Sequence, residues 1–217
     1  MLFFLIVCVL SFIYGLQAEI KFKPKTKTML NSAYHMSAAL LEEERIQIEN
    51  AKKNPEKFGP LYRKYYEAIF RYVYKRMDDL DTVEDVTSMV FVKALTNIHK
   101  FEFRGIPFSS WLFRIAKSEL NQAFRDKKGE RTVRLDKVII GHVMDELFED
   151  DSEKNRSKLL KALTRLKCDQ LELVEMRFFE KRSFREIGEV LGMTENNAKV
   201  KTFRVINKLK QIFNKLE

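Results

Sequence analysis

The sequence predicts an all-α protein: two compact helical domains joined by a flexible linker, the second a helix-turn-helix. Three observations carry this. Apolar residues recur at helical spacing through most of the chain, and no segment sustains a two-residue alternation. A mixed, finally acidic stretch at 129–153 interrupts that spacing. The C-terminal third then spells two helices complete with their caps. A chain of 217 residues with 45% hydrophobic content can fill two ordinary cores. The expected boundaries are a leader at 1–36, a helical domain at 37–128, a linker at 129–153 and a second helical domain at 154–217.

The leader invites a signal-peptide or membrane-anchor reading. Leu2 to Leu16 is almost wholly apolar, yet 15 residues at ~1.5 Å each reach only ~22 Å of a ~30 Å hydrocarbon core. No Lys or Arg precedes it, and Leu16-Gln17-Ala18 is a poor cleavage site. Met29 and Met36 lie just upstream of the first patterned segment, so residues 1–28 are expected to be an extension from a misplaced start. A membrane anchor is the competing reading.

Ser37–Lys53 reads as a short charged helix ending near Asn54-Pro55. Phe58–Met77 follows, with Leu61, Tyr65, Ile69 and Met77 on one side and a dense set of aromatics expected in the core. After the polar turn Asp78–Thr82, a helix over 82–97 turns Val83, Val86, Val90 or Phe91, Ala94 and Ile98 inward. Phe101–Ser110 is a loop containing Gly105 and Pro107. Ser109 or Ser110 can cap the next helix, which carries Trp111, Leu112, Ile115, Ala116, Leu120 and Phe124 and frays near Gly129. Lys154–Leu166 and Asp169–Phe179 are the first helices of the second domain.

Ser183 and Glu186 then form a capping box, and Gly192 suits a left-handed helix end. Gly188 permits a close approach, and Thr194 can cap the last helix. That helix repeats Ala198, Thr202, Val205, Leu209, Ile212 and Leu216 on one face, with Lys and Arg on the others. This is the pattern of a helix-turn-helix whose second helix enters a DNA major groove. Charge agrees. The chain is formally +9, and Lys154–Glu217 alone holds 16 Lys/Arg against 8 Asp/Glu. Such a balance favours a polyanionic partner. Catalysis is not suggested: there is no nucleophile–base pair, no phosphate-cradling Gly-rich loop and no metal-like spacing of Cys or His. No cofactor and no small-molecule substrate are expected.

Four blocks sharpen the reading: Phe58-Gly-Pro-Leu-Tyr-Arg-Lys-Tyr-Tyr; Val83-Glu-Asp-Val-Thr-Ser-Met-Val-Phe-Val-Lys-Ala-Leu; Phe108-Ser-Ser-Trp-Leu-Phe-Arg-Ile-Ala; and Leu173–Leu209. Together, over about Leu40–Leu216, they resemble the extracytoplasmic-function sigma factors of the sigma-70 family. The resemblance implies a first domain that binds core RNA polymerase and the −10 promoter element, and a second that reads the −35 element. It implies a cytoplasmic protein without enzyme chemistry, which gives the polymerase promoter specificity and assists melting. Restraint by an anti-sigma factor belongs to the same family pattern, although no residue here identifies one.

The resemblance also implies site residues. Glu84, Asp85, Ser88, Phe91 and Lys93, turned partly outward, would dock on the polymerase's largest subunit, with Ser88 standing where Gln is usual. Phe103, Arg104, Phe108, Trp111, Arg114, Lys117, Ser118 and Arg125 would serve the −10 element. Single-stranded DNA needs both π faces for its bases and cations along its phosphates. Phe103 and Phe108 suit a flipped-base pocket or the core equally, whereas the spacing around Trp111 suits a core anchor. Ser118 stands where the family often has Asn. In the last helix Glu195, Asn196, Asn197, Lys199 and Lys201 would reach base edges, and Arg204 and Lys208 would grip phosphate. Ala198 and Val200 stand where Val and Ser are common. Arg182 and Arg185 are further phosphate candidates.

Two other readings compete. A helix-turn-helix regulator that binds duplex DNA without being a polymerase subunit shares the C-terminal pattern, but the first half lacks the βα alternation of a receiver domain. A membrane-anchored basic helical protein rests on Leu2–Leu16 alone.

Overall fold

The computed structural model describes residues 38–127 and 152–216; the leader and the linker expected from the sequence lie outside it except for Ser152 and Glu153, which cap and begin a helix. The described residues are helical without a strand and form two compact units, 38–127 and 152–216. Among them no helix is long and apolar enough to cross a membrane.

In the first unit, α1 (Ala38–Lys53) is a charged helix that buries only Glu44, Ile48 and Ala51. Asn54 ends it: its side-chain oxygen accepts the Glu56 N–H at 3.0 Å and caps a 3₁₀ turn at Pro55–Phe58. α2 (Gly59–Tyr74) supplies the aromatic core, with Leu61, Tyr62, Tyr65, Tyr66, Ile69, Phe70, Tyr72 and Val73 buried. α3 (Leu80–Asn97) starts ahead of Thr82 because Asp79 caps it, accepting the Thr82 N–H at 3.2 Å. A 3₁₀ turn at Ile98–Lys100 and a loop lead into α4 (Phe108–Lys127). Helices α2, α3 and α4 pack together through their rings, edge-on for Tyr72 and Phe113 at 5.1 Å, tilted for Tyr62 and Phe91 at 4.7 Å, and stacked for Tyr66 and Phe91 at 6.1 Å. Such offset arrangements suit the ring quadrupoles.

The start of α4 departs from expectation. Ser109 and Ser110 are both buried inside the first turn and cap nothing. The free N–H of Phe108 instead donates to the Glu44 carboxylate of α1 at 2.7 Å. A residue 64 positions away does the work expected of a neighbour.

The second unit opens with α5 (Glu153–Leu163), capped by Ser152, and α6 (Cys168–Val174). The continuous helix expected to Phe179 widens instead into a π turn at Glu175–Phe179, where the Glu180 N–H reaches the Glu175 carbonyl at 2.9 Å. Lys181 follows in the left-handed region with φ 50°. Next come α7 (Phe184–Leu191) and α8 (Glu195–Lys215). The capping box of α7 is reciprocal: the Glu186 N–H donates to Ser183 Oγ at 3.2 Å, and the Ser183 N–H to the Glu186 carboxylate at 2.8 Å. Gly192 ends α7 with φ 67°. The turn is tight enough that a Cβ on Gly188 would lie 2.6 Å from the Met193 carbonyl oxygen. Thr194 Oγ1 then accepts the Asn197 N–H at 3.3 Å. α8 buries Ala198, Thr202, Val205, Leu209 and Phe213. Phe213 takes the place expected for Ile212 because it lies a full turn beyond Leu209; Ile212 and Leu216 are half-buried.

Candidate nucleic-acid interface

The outer face of α8 is the most clearly built surface of the second unit. Its buried stripe fixes what remains outside: Glu195, Asn196, Asn197, Lys199, Lys201 and Arg204 are all exposed. The helix carries six Lys/Arg and a single acid, Glu195. Glu195 sits in the first turn, where a carboxylate also suits the helix dipole. Lys208 is set apart. It is half-buried, and its ammonium donates to Gln170 Oε1 at 2.8 Å, which ties α8 to α6. Lys208 thus makes a packing contact between these two helices. The phosphate role considered for Arg182 is corrected. It is 0% exposed, with its Nε held by Glu180 and its carbonyl accepting from Arg177 at 3.1 Å, so it cannot meet a phosphate without leaving the core. Arg185 remains exposed.

In the first unit, Arg114, Ser118 and Arg125 are exposed and share one stripe of α4, at intervals of four and seven residues. Trp111 begins that stripe, half-buried against Phe101 and Phe108 with ring centroids at 5.3 Å to each. Lys117 is half-buried on the edge of the stripe. In the preceding loop, Phe103 is half-buried and Arg104 exposed, beside Glu102 at 3.1 Å. Gly105 turns the loop with φ 67°. Phe108 does not belong to this surface. It is 0% exposed, ringed by Phe58, Tyr65, Phe101 and Trp111. A base could stack on it only after the core had opened, so its pocket role is withdrawn.

The acidic face of α3 is also narrower than the sequence suggested. Glu84, Asp85 and Lys93 are exposed, and the Lys93 ammonium pairs with Glu119 of α4 at 2.7 Å. Ser88 and Phe91 are corrected to interior positions. The Ser88 hydroxyl donates back to the Glu84 carbonyl at 2.8 Å, and Phe91 packs on Tyr62 and Tyr66. Along its middle, α3 presents the apolar Met89, 42% exposed between Asp85 and Lys93; Leu80, at its start, is 50% exposed. Sequence reasoning missed Met89, and on α8 it missed Val200 and Phe203. The signal was present in each case: each lies opposite the inward stripe already drawn for its helix.

Glu195, Asn196 and their neighbours form a basic helix face suited to a DNA groove, while α3 and α4 offer an acidic and a basic-aromatic surface on one unit. Known proteins resemble this chain in both units. A sequence model of Sigma-70 region 2 matches residues 61–130, and one of Sigma-70, region 4 matches residues 162–211. The ECF RNA polymerase sigma factor BldN of Streptomyces coelicolor is 31% identical over 179 residues, 81% of this chain and 66% of BldN. The fold is shared with CnrH, solved in complex with the cytosolic domain of CnrY (TM-score 0.53, 20% identity, 79% of this chain and 97% of that one). It is also shared with the sigma factor RpoE of Bartonella quintana, solved with the anti-sigma factor NepR (TM-score 0.51, 18% identity, 75% and 99%).

Proposed function

Because this chain belongs to the sigma-70 family, within its extracytoplasmic-function group, we propose that it is the subunit that lends core RNA polymerase its promoter specificity. It binds core polymerase, directs it to −10 and −35 elements and assists strand opening, with no catalytic chemistry of its own. The observation that carries this is the order of the two matched regions, each borne by its own helical unit and the second built as a fully capped helix-turn-helix.

The division of labour follows the surfaces. Asp85, Met89 and Glu84 on α3 dock the polymerase: an apolar anchor rimmed by charge is a common form of interface centre. Phe103, Arg104, Arg114, Lys117, Ser118 and Arg125 handle the −10 strand, with Trp111 as the brace behind them. Extruding a base costs a few kcal/mol of stacking, and a π face beside cations returns it. Asn196, Asn197, Lys199 and Lys201 read the −35 duplex, with Arg204 and Arg185 on its phosphates. An anti-sigma factor is a further partner, by analogy with RpoE and NepR. The cellular address is the cytoplasm, where polymerase and promoters are.

Run-off transcription from genomic fragments, with the full chain and purified core polymerase, tests the reading. Defined start sites that appear only when the chain is added are expected. A chain that binds duplex promoter DNA tightly by itself and never alters polymerase start sites would instead be an ordinary helix-turn-helix regulator.

A further inference from the structure

Val200 and Phe203 are 39% and 50% exposed on α8, among the largest apolar exposures in the second unit. They lie opposite the buried stripe of Ala198, Thr202 and Val205, on the same side as Asn196 and beside Arg204. Phe203 is not loose. Its ring stands 6.0 Å from that of Phe184 at the start of α7, and Phe184 in turn lies under the Arg177 guanidinium at 4.9 Å. The apolar pair is thus held outward on the helix that carries six cations and one acid.

That charge selects a polyanion over an apolar protein groove as occupant. Neither phosphate oxygens nor the hydrogen-bonding edges of bases give anything to a valine or a phenylalanine. Among the groups displayed in the major groove, the 5-methyl of thymine is the apolar one. We infer that Val200 and Phe203 are specificity-determining residues that pack on thymine methyl groups of the −35 element, beside the polar reading by Asn196. Asn196 and Val200 are one turn apart, so neighbouring base pairs would be read by a hydrogen-bond pair and an apolar contact together. The inference rests on the sigma-factor reading and names the base chemistry that the −35 surface selects.

The test replaces each −35 thymine by uracil, which removes only the 5-methyl, on a promoter first found by run-off transcription with the full chain and core polymerase. Burial of one methyl is worth ~0.8 kcal/mol, so loss of a contacted methyl should weaken holoenzyme occupancy about fourfold. Val200→Ala or Phe203→Ala holoenzyme should lose that discrimination at its own base pair and bind thymine and uracil promoters alike. The uracil scan on the parent protein needs no variant, so a misfolded mutant does not decide the matter. Equal occupancy on every uracil promoter overturns the inference, as does a −35 element without A·T pairs or a uracil penalty that survives both substitutions. Loss of core-polymerase binding by the variants would assign the patch to a protein contact and overturn it too. If the parent holoenzyme initiates nowhere on thymine DNA, the function itself fails, a result distinct from all of these.

Discussion

Glu44 brings a carboxylate into the core of the first unit and meets three donors there. Lys64 donates to it at 2.9 Å, the Tyr65 hydroxyl donates to the same oxygen, and the Phe108 N–H reaches the other at 2.7 Å. A buried charge is tolerable only with such partners. Glu44→Ala should therefore destabilise the first unit by about 2–4 kcal/mol, since it strands two buried donors; chemical denaturation followed by circular dichroism would measure it. Tyr62 shows the opposite economy. Its hydroxyl is buried without a hydrogen-bond partner, and burial, with a smaller contribution from Tyr66, pushes its phenol well above the usual tyrosine range. The unfolded chain releases this proton near pH ~10, whereas the folded chain keeps it. Stability is therefore whole below pH ~10 and falls as pH rises beyond it. Tyr62→Phe should flatten that alkaline decline at little cost near neutral pH, as denaturation curves at pH 8 and pH 11 would show.

At the scale of the element, the α7–α8 turn depends on atoms within ten residues of one another. Ser183→Ala removes one half of a reciprocal capping box and should cost about 1 kcal/mol. Gly188→Ala is the harsher change. Its Cβ would meet the Met193 carbonyl at 2.6 Å, and backbone cannot swing aside as a side chain can. The expected loss is about 2–3 kcal/mol, together with weaker promoter binding as α8 shifts. Thermal melts paired with promoter affinity would separate the two variants, since Ser183→Ala should leave affinity nearly intact. These caps were legible in the sequence because each is made between residues two to five apart. The α4 start was not: Glu44 and Phe108 are near neighbours only once α1 and α4 have packed. The π turn at Glu175–Phe179 likewise has no sequence sign in its apolar spacing, which reads equally well as regular helix.

For the whole molecule, charge and division into units carry the predictions. Much of the formal +9 resides in the second unit, so promoter binding should weaken steeply with salt. Arg204→Ala should reduce the slope of log affinity against log salt by ~1, across promoters, as expected for one lost phosphate contact. Phe103→Ala should slow strand opening while −35 binding stays unchanged, because the two surfaces belong to separate units. Permanganate reactivity of unpaired thymines, set beside filter binding of the duplex, would measure both. Phe108→Ala would not probe the same surface, since it would empty a core site.

Helical period, cap chemistry and charge distribution are properties of neighbouring residues, so the sequence by itself determined the all-α class, the helix-turn-helix and the exposure of Glu195, Asn196, Asn197, Lys199, Lys201 and Arg204. Which member of an amphipathic helix lies outermost is a matter of what packs across from it. Tertiary structure alone therefore took Phe108 and Arg182 inside, put Phe91 in the core together with Val90, and turned Lys208 onto Gln170. The physical reason is that burial depends on partners distant in the chain, and spacing along one helix does not name them.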